Sequence, residues 1–212
     1  MHYQLSNRLT GRSVLASLRA LVPKRPLTPS ETLRIAELQA NRLLEHFAVT
    51  SAAVPEEIIS ELPRIRVIHE PLPVSGAAHW ANGYWLITLN ADEPTSRQRF
   101  SLVHEFKHVL DHTTEGHLYH DRPFQTAYEQ AERVADYFAA CLLMPKRVVK
   151  RLWCQRQQNI IELAEKLQVS PAALRYRLDQ LGLTERAPRC YRPIETARRT
   201  APQPRAPILE TA

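Results

Sequence analysis

His104-Glu105-Phe106-Lys107-His108 sets two imidazoles four residues apart with a carboxylate beside the first. On a helix such a pair shares one face, so both rings can meet a single ion. Glu105, offset by about 100°, reaches a water on that ion without ligating it. This is the arrangement that metal-assisted hydrolysis requires. The competing reading is a solvated helix face rich in histidine, since residues 104 to 120 hold five of the nine histidines.

A catalytic zinc site takes a third protein ligand and keeps a fourth position for water. His112 lies on the same stripe but eight residues beyond His104, a rise of about 12 Å along a straight helix, and is excluded. The extended pattern HExxHxxGxxH needs Gly at 111 and His at 114, where the chain has Asp111 and Thr114. His117 and His120 stay open, because a following loop can fold back. The stronger candidate is Glu132, in YEQAERVADYFAACLLMP, which reads as a second helix ending at Pro145. Asp136 follows one turn later and can accept the free ring N–H of a liganding histidine, fixing its tautomer. Ala135 and Ala139 beside that face let two helices approach closely. Glu129 is the rival ligand, but its partner one turn on is Arg133, a poor acceptor.

These residues need elements to hold them. In RQRFSLVHEFKHVLDH the histidine/carboxylate stripe faces one way, and Leu102, Phe106, Val109 and Leu110 the other. Thr95-Ser96 is the cap candidate. Upstream, RIRVIHE at 64–70 alternates as a strand, and Asn82-Gly83 between strand-like runs at 77–81 and 84–90 is a strong hairpin signal. Residues 13–22 form a short amphipathic stretch stopped by Pro23. Thr28-Pro29-Ser30-Glu31 starts a longer helix ending near His46, and a short helix covers Pro55 to Leu62.

RQRFSLVHEFKH, GYWLITLN and ERVADYFAACLLMP together resemble the ImmA/IrrE family of zinc metallo-endopeptidases, over roughly three quarters of the chain from about Ser30 through IIELAEKLQVSPAALRYRLDQLGL. The resemblance implies an α+β fold: a mostly helical, minimal zincin-like core with a small three-stranded sheet, followed by a helix-turn-helix-like segment. It implies His104, His108 and Glu132 as ligands of Zn2+, Glu105 as general base, and a helix-turn-helix repressor as the protein substrate. Two positions depart from the family pattern. Lys107 stands where relatives usually carry a small residue, with altered access to the cleft as the expected consequence. Asp136 stands where many have Asn.

The chain then divides into an N-terminal amphipathic arm at 1–29, a metallopeptidase domain at 30–153, the helix-turn-helix-like segment at 154–184 and a basic, Pro-rich tail at 185–212 expected to be disordered. The strand at Tyr84 to Asn90, or its partner near His79, offers an open edge for an extended substrate. Tyr119, His120 and His117 are candidates for stabilising the oxyanion. Arg175 and Arg177 in the last helix are candidates for phosphate contacts, which keeps a second function in view: a DNA-binding transcriptional regulator with a structural or weakly catalytic zinc site.

Bulk properties narrow the partners. Of the net charge of +6, the stretch from Arg186 onward carries six arginines against two glutamates, so the excess says little about the folded body. Three scattered cysteines, Cys141, Cys154 and Cys190, form no CxxC and fit a reducing cytoplasm. No apolar run approaches the roughly 18 to 20 residues of a membrane span. A soluble, cytoplasmic protein with no membrane partner is expected.

Overall fold

The computed structural model of the protein describes residues 13–183. The basic tail at 185–212 and the first part of the N-terminal arm lie outside the described residues. In chain order the elements are α1 (Val14–Arg19), α2 (Pro29–His46), α3 (Glu57–Ser60), β1 (Ile65–Glu70), β2 (Gly76–Ala81), β3 (Tyr84–Asn90), α4 (Thr95–Asp111), α5 (Glu115–Leu118), α6 (Ala127–Leu143), α7 (Lys146–Cys154), α8 (Ile160–Leu167) and α9 (Pro171–Gln180). The fold is α+β, as expected. Among the described residues no helix is long and apolar enough to cross a membrane.

Local chemistry explains most boundaries. Thr28 and Glu31 close a capping box on α2, and Thr126 and Glu129 close another on α6, each satisfying backbone N–H groups that a helix start leaves unpaired. The Thr95-Ser96 cap is not realised. Pro94 occupies the N-cap of α4 and no side chain caps it, because proline's fixed φ and the absence of an N–H to satisfy suit a helix start. The helix α7 was not expected from the sequence.

Asn82 and Gly83 sit at φ 50° and 85°, the signature of a type I′ turn whose twist matches the strands it joins. The sheet order is β1-β3-β2, with β1 parallel and β2 antiparallel to β3. Tyr84–Asn90 is therefore the central strand and cannot serve as a free edge. The consecutive burial of Ile87, Thr88 and Leu89 reflects that place. Of the hairpin, only β2 offers an edge.

Beneath the sheet, α4 packs against α6, and α6 against α2. Leu102, Phe106, Val109 and Leu110 meet Phe138 and Leu142 in the core, each large apolar side chain contributing about 2 kcal/mol. Ala135 and Ala139 are fully buried where the helices approach. The arm is docked rather than loose: Leu18 is fully buried, and the Arg19 guanidinium donates to the Val109 and Leu110 carbonyls at 2.7 and 3.0 Å. Arg19 thereby caps the C-terminal end of α4, the end that favours a cation.

Two arginines fasten the α8–α9 pair to this body. Arg99 of α4 donates to the carbonyls of Gln168 and Val54 and pairs with Glu56 at 3.0 Å. Arg177 is buried and donates to the Met144 carbonyl at 3.1 Å and to Gln180. It faces inward as a structural tie, so the expected phosphate contact at Arg177 does not hold. Arg175 remains exposed.

Candidate metal centre

Helix α4 presents His104 and His108 to a cleft, and α6 crosses it to present Glu132. His104 Nε2 and His108 Nε2 are 3.1 Å apart. Glu132 straddles them, Oε2 lying 3.4 Å from His104 Nε2 and Oε1 3.3 Å from His108 Nε2. A tetrahedral zinc with bonds of 2.0 to 2.1 Å separates its ligand atoms by roughly 3.3 to 3.4 Å. The three side chains could hold a tetrahedral divalent ion, with Glu132 turning one of its two oxygens to it.

Tautomers sharpen the fit. His104 Nδ1 lies 2.9 Å from Asp136 Oδ1. With the ring N–H donated there, His104 Nε2 presents a lone pair. The lone pair of His104 Nε2 and the Glu132 carboxylate then converge on one point together with His108 Nε2. A cation at that point would meet all three.

The ionisation of these groups follows from their surroundings. Burial opposes the His104 imidazolium, but the hydrogen bond and charge of Asp136, with the charges of Glu105 and Glu132, outweigh it and hold His104 above the ordinary histidine range. His108 is pushed down, first by burial and then by His104. The Glu105 carboxyl is pushed up by burial and by Glu132, against the pull of His104. A carboxylate made more basic in this way suits proton abstraction near neutrality.

The cleft has a volume of about 900 Å³. One wall is β2 with the residues before it, where Gly76 touches the catalytic candidate. A Cβ built on Gly76 would stand 3.1 Å from Glu105 Cγ and 3.5 Å from its Oε1. Sequence reasoning missed this contact, although a glycine opening a strand signals close approach.

The remaining candidates separate clearly. Glu129 is held in the α6 capping box, its carboxylate accepting the Thr126 N–H at 2.8 Å and its own N–H donating to Thr126 Oγ1 at 3.1 Å, so it is not directed at the metal. Tyr119 lines the cleft with its ring, but its hydroxyl donates to Asp111; burial and the Asp111 charge raise its ionisation far above the ordinary range. His117 and His120 do not line the cleft. Their backbone carbonyls accept from Leu27 and from Gln130. His112 stacks edge-on against Trp85 at 5.0 Å, apart from the ligand cluster as helical rise requires.

Lys107 also departs from expectation. It is fully buried, with its ammonium on Asp111 and 5.8 Å from the Phe138 ring. It points into the core and does not alter access to the cleft. Burial lowers its pKa, opposed by Asp111.

No curated protein matches this sequence. In structure the chain is similar to a Mycobacterium tuberculosis transcriptional regulator, with a TM-score of 0.50 at 15% identity over 84% of this chain and 54% of that one. Such a likeness shows the fold alone, and the chain spans about half the length of that regulator. Residues 61–179, more than half of the chain and including the cleft and the α8–α9 pair, match the peptidase family described as the IrrE N-terminal-like domain, and the chain belongs to that family.

Proposed function

We propose that this protein is a zinc-dependent endopeptidase that hydrolyses a peptide bond in a regulatory protein, with a helix-turn-helix transcriptional repressor as its cognate substrate. The observation that carries this reading is the meeting of His104, His108 and Glu132 within bonding range of one ion, beside a carboxylate that ligates nothing. Membership of a peptidase family supports it. The repressor as substrate rests on the family resemblance.

His104, His108 and Glu132 would hold the zinc. When bound it supplies a Lewis acid for a carbonyl and lowers the pKa of a water to about 7. Asp136 holds the His104 ring in the tautomer that leaves Nε2 free. Glu105 accepts the proton of the attacking water and can return it to the leaving amine, so one carboxylate serves both halves of the reaction.

The edge of β2 suits an extended substrate. A two-residue turn makes Ala81 and Tyr84 a hydrogen-bonded pair, and pairing alternates from there. Gly76, Ala78 and Trp80 therefore turn their free N–H and C=O groups outward, beside the cleft. A peptide added there as a strand gains main-chain hydrogen bonds independent of its sequence.

The alternative, a DNA-binding regulator with structural zinc, draws on the α8–α9 pair. It is weakened by Arg177, whose guanidinium is tied to Met144. The deciding experiment incubates zinc-loaded protein with the repressor encoded beside this gene and reads fragments by mass spectrometry. Wild type is expected to cut at one site. Glu105→Gln is expected to keep zinc and fold while losing about 10²- to 10⁴-fold in rate. Loss of zinc in that variant would make Glu105 a ligand and overturn the assignment.

A further inference from the structure

A second cavity of about 270 Å³ adjoins the first. Arg97, Phe100 and Asp136 line both, so the two cavities are neighbours that meet at these side chains. Its floor is apolar, built from Ala140 and Met144, both buried at the end of α6. Its far wall is α9, through Ala173 and Tyr176.

Helix α9 divides its faces accordingly. Leu174, Arg177 and Leu178 turn into the core, while Ala173 and Tyr176 turn to the groove and Tyr176 is 59% exposed. The small residue makes room, and the aromatic one forms a rim. The space is below the roughly 300 to 1,000 Å³ of small-molecule sites and suits a side chain of a longer ligand.

Position relative to the cleft identifies the ligand. Arg97 donates to Ser75 Oγ at 3.1 Å, at the residue just before β2, and so marks the seam between the strand edge and the groove. Antiparallel addition to β2 is the commoner and slightly more stable pairing, and a chain added that way places its C-terminal part at the Gly76 end, where this seam lies.

Resting on the endopeptidase reading, we propose that the groove between α4, α6 and α9 is a substrate subsite that takes a large apolar side chain on the C-terminal side of the scissile bond. The helix-turn-helix-like pair thus serves the peptidase as a wall of its specificity site.

The test uses the full chain loaded with zinc and a random-sequence peptide library whose cleavage sites are read by mass spectrometry. Wild type is expected to favour Leu, Ile, Met or Phe at one position C-terminal to the cut. Ala173→Phe, which fills the groove, should reduce that preference by about 10-fold, the size of discrimination an apolar pocket provides, and leave N-terminal-side preferences unchanged. Tyr176→Ala, at an exposed position that does not endanger folding, should broaden the same position alone. Binding gives a readout without turnover: a fluorescent peptide of the preferred sequence should bind Glu105→Gln about 10-fold more tightly than it binds Glu105→Gln/Ala173→Phe. Cleavage with an unchanged profile and unchanged binding in both variants would overturn the subsite and leave the peptidase standing. A wild type that neither cuts nor, as Glu105→Gln, binds any library peptide would overturn the peptidase reading and the subsite with it.

Discussion

Helix α4 carries two clusters of ionisable side chains, and they end differently. On one side His104 and His108 face Glu132 and Asp136 across a cleft. On the other, Lys107 and Asp111 are sealed in the core, with the Tyr119 hydroxyl as a third member. In the core cluster each donor group meets an acceptor: the ammonium and the phenol both donate hydrogen bonds to one carboxylate. In the cleft, two imidazole nitrogens and a carboxylate face one point that a cation could fill. A buried group of charges that satisfies itself is architecture, whereas a partly exposed group converging on one point is a candidate metal site.

The largest effect should come from breaking the cleft cluster. Glu132→Ala leaves two histidines and is expected to lower zinc stoichiometry to near zero at neutral pH, as His104→Ala and His108→Ala should. His112→Ala, on the same stripe but paired with Trp85, should bind zinc as wild type does. Titration with zinc under a competing chelator reads all four. Equal losses in all of them would sink the division of the helix face.

The core cluster should fail in stability rather than in metal binding. Asp111→Ala strands the Lys107 ammonium where no water reaches it, and breaking a buried pair from one side costs about 3 to 5 kcal/mol. Removing both charges with Lys107→Met and Asp111→Leu should recover most of that loss. Urea unfolding of the metal-free protein measures it. A single variant as stable as wild type would mean that the pair contributes nothing, and a double variant no better than the single would point to the Tyr119 hydroxyl as the group that Asp111 must satisfy.

The two clusters were not equally legible in the sequence. The cleft residues announce themselves because ligands must converge, and convergence restricts spacing: four residues within α4, then a second helix bringing Glu132. The core pair was open to notice as an i, i+4 match of Lys107 with Asp111, but periodicity cannot say that a charged residue is buried. Only packing against Phe138 and Tyr119 settles that. Arg177 was misjudged for the same reason. The hairpin was readable at Asn82-Gly83 because turn chemistry is local, whereas the central place of β3 depends on β1, which pairs with it in parallel from a distance in sequence. The unbroken apolar run Trp85-Leu86-Ile87 was the available signal.

A smaller effect should separate ligand from support within the cleft. Asp136 touches only the far nitrogen of His104 and its side chain is 58% exposed. Asp136→Ala is therefore expected to weaken zinc affinity by about 10- to 100-fold without removing the site, and Asp136→Asn, which keeps an acceptor oxygen, to lose less. Isothermal titration orders the three proteins. An Asp136→Ala loss as great as that of Glu132→Ala would make Asp136 a direct ligand and break the assignment of Glu132.

The smallest effect concerns Gly76, where the two sides of the cleft touch. A methyl group there would meet Glu105 Cγ at 3.1 Å, closer than comfortable contact, so Gly76→Ala has to displace the carboxylate by a few tenths of an ångström. Neither histidine nor Glu132 is involved, and zinc affinity should stay at the wild-type value. The proposed proton acceptor moves, however, and misplacing a reacting group by about 1 Å can cost 100-fold. A shift of this smaller size should lower kcat by about 10-fold or less, with KM nearly unchanged because the β2 backbone edge is intact. Steady-state kinetics on the preferred library peptide, beside a zinc titration, distinguish the cases. Unchanged kcat would show that Glu105 yields freely to its neighbour and that the strand does not hold it in place, whereas a fall in zinc affinity would mean that β2 positions α4 as a whole rather than the carboxylate alone.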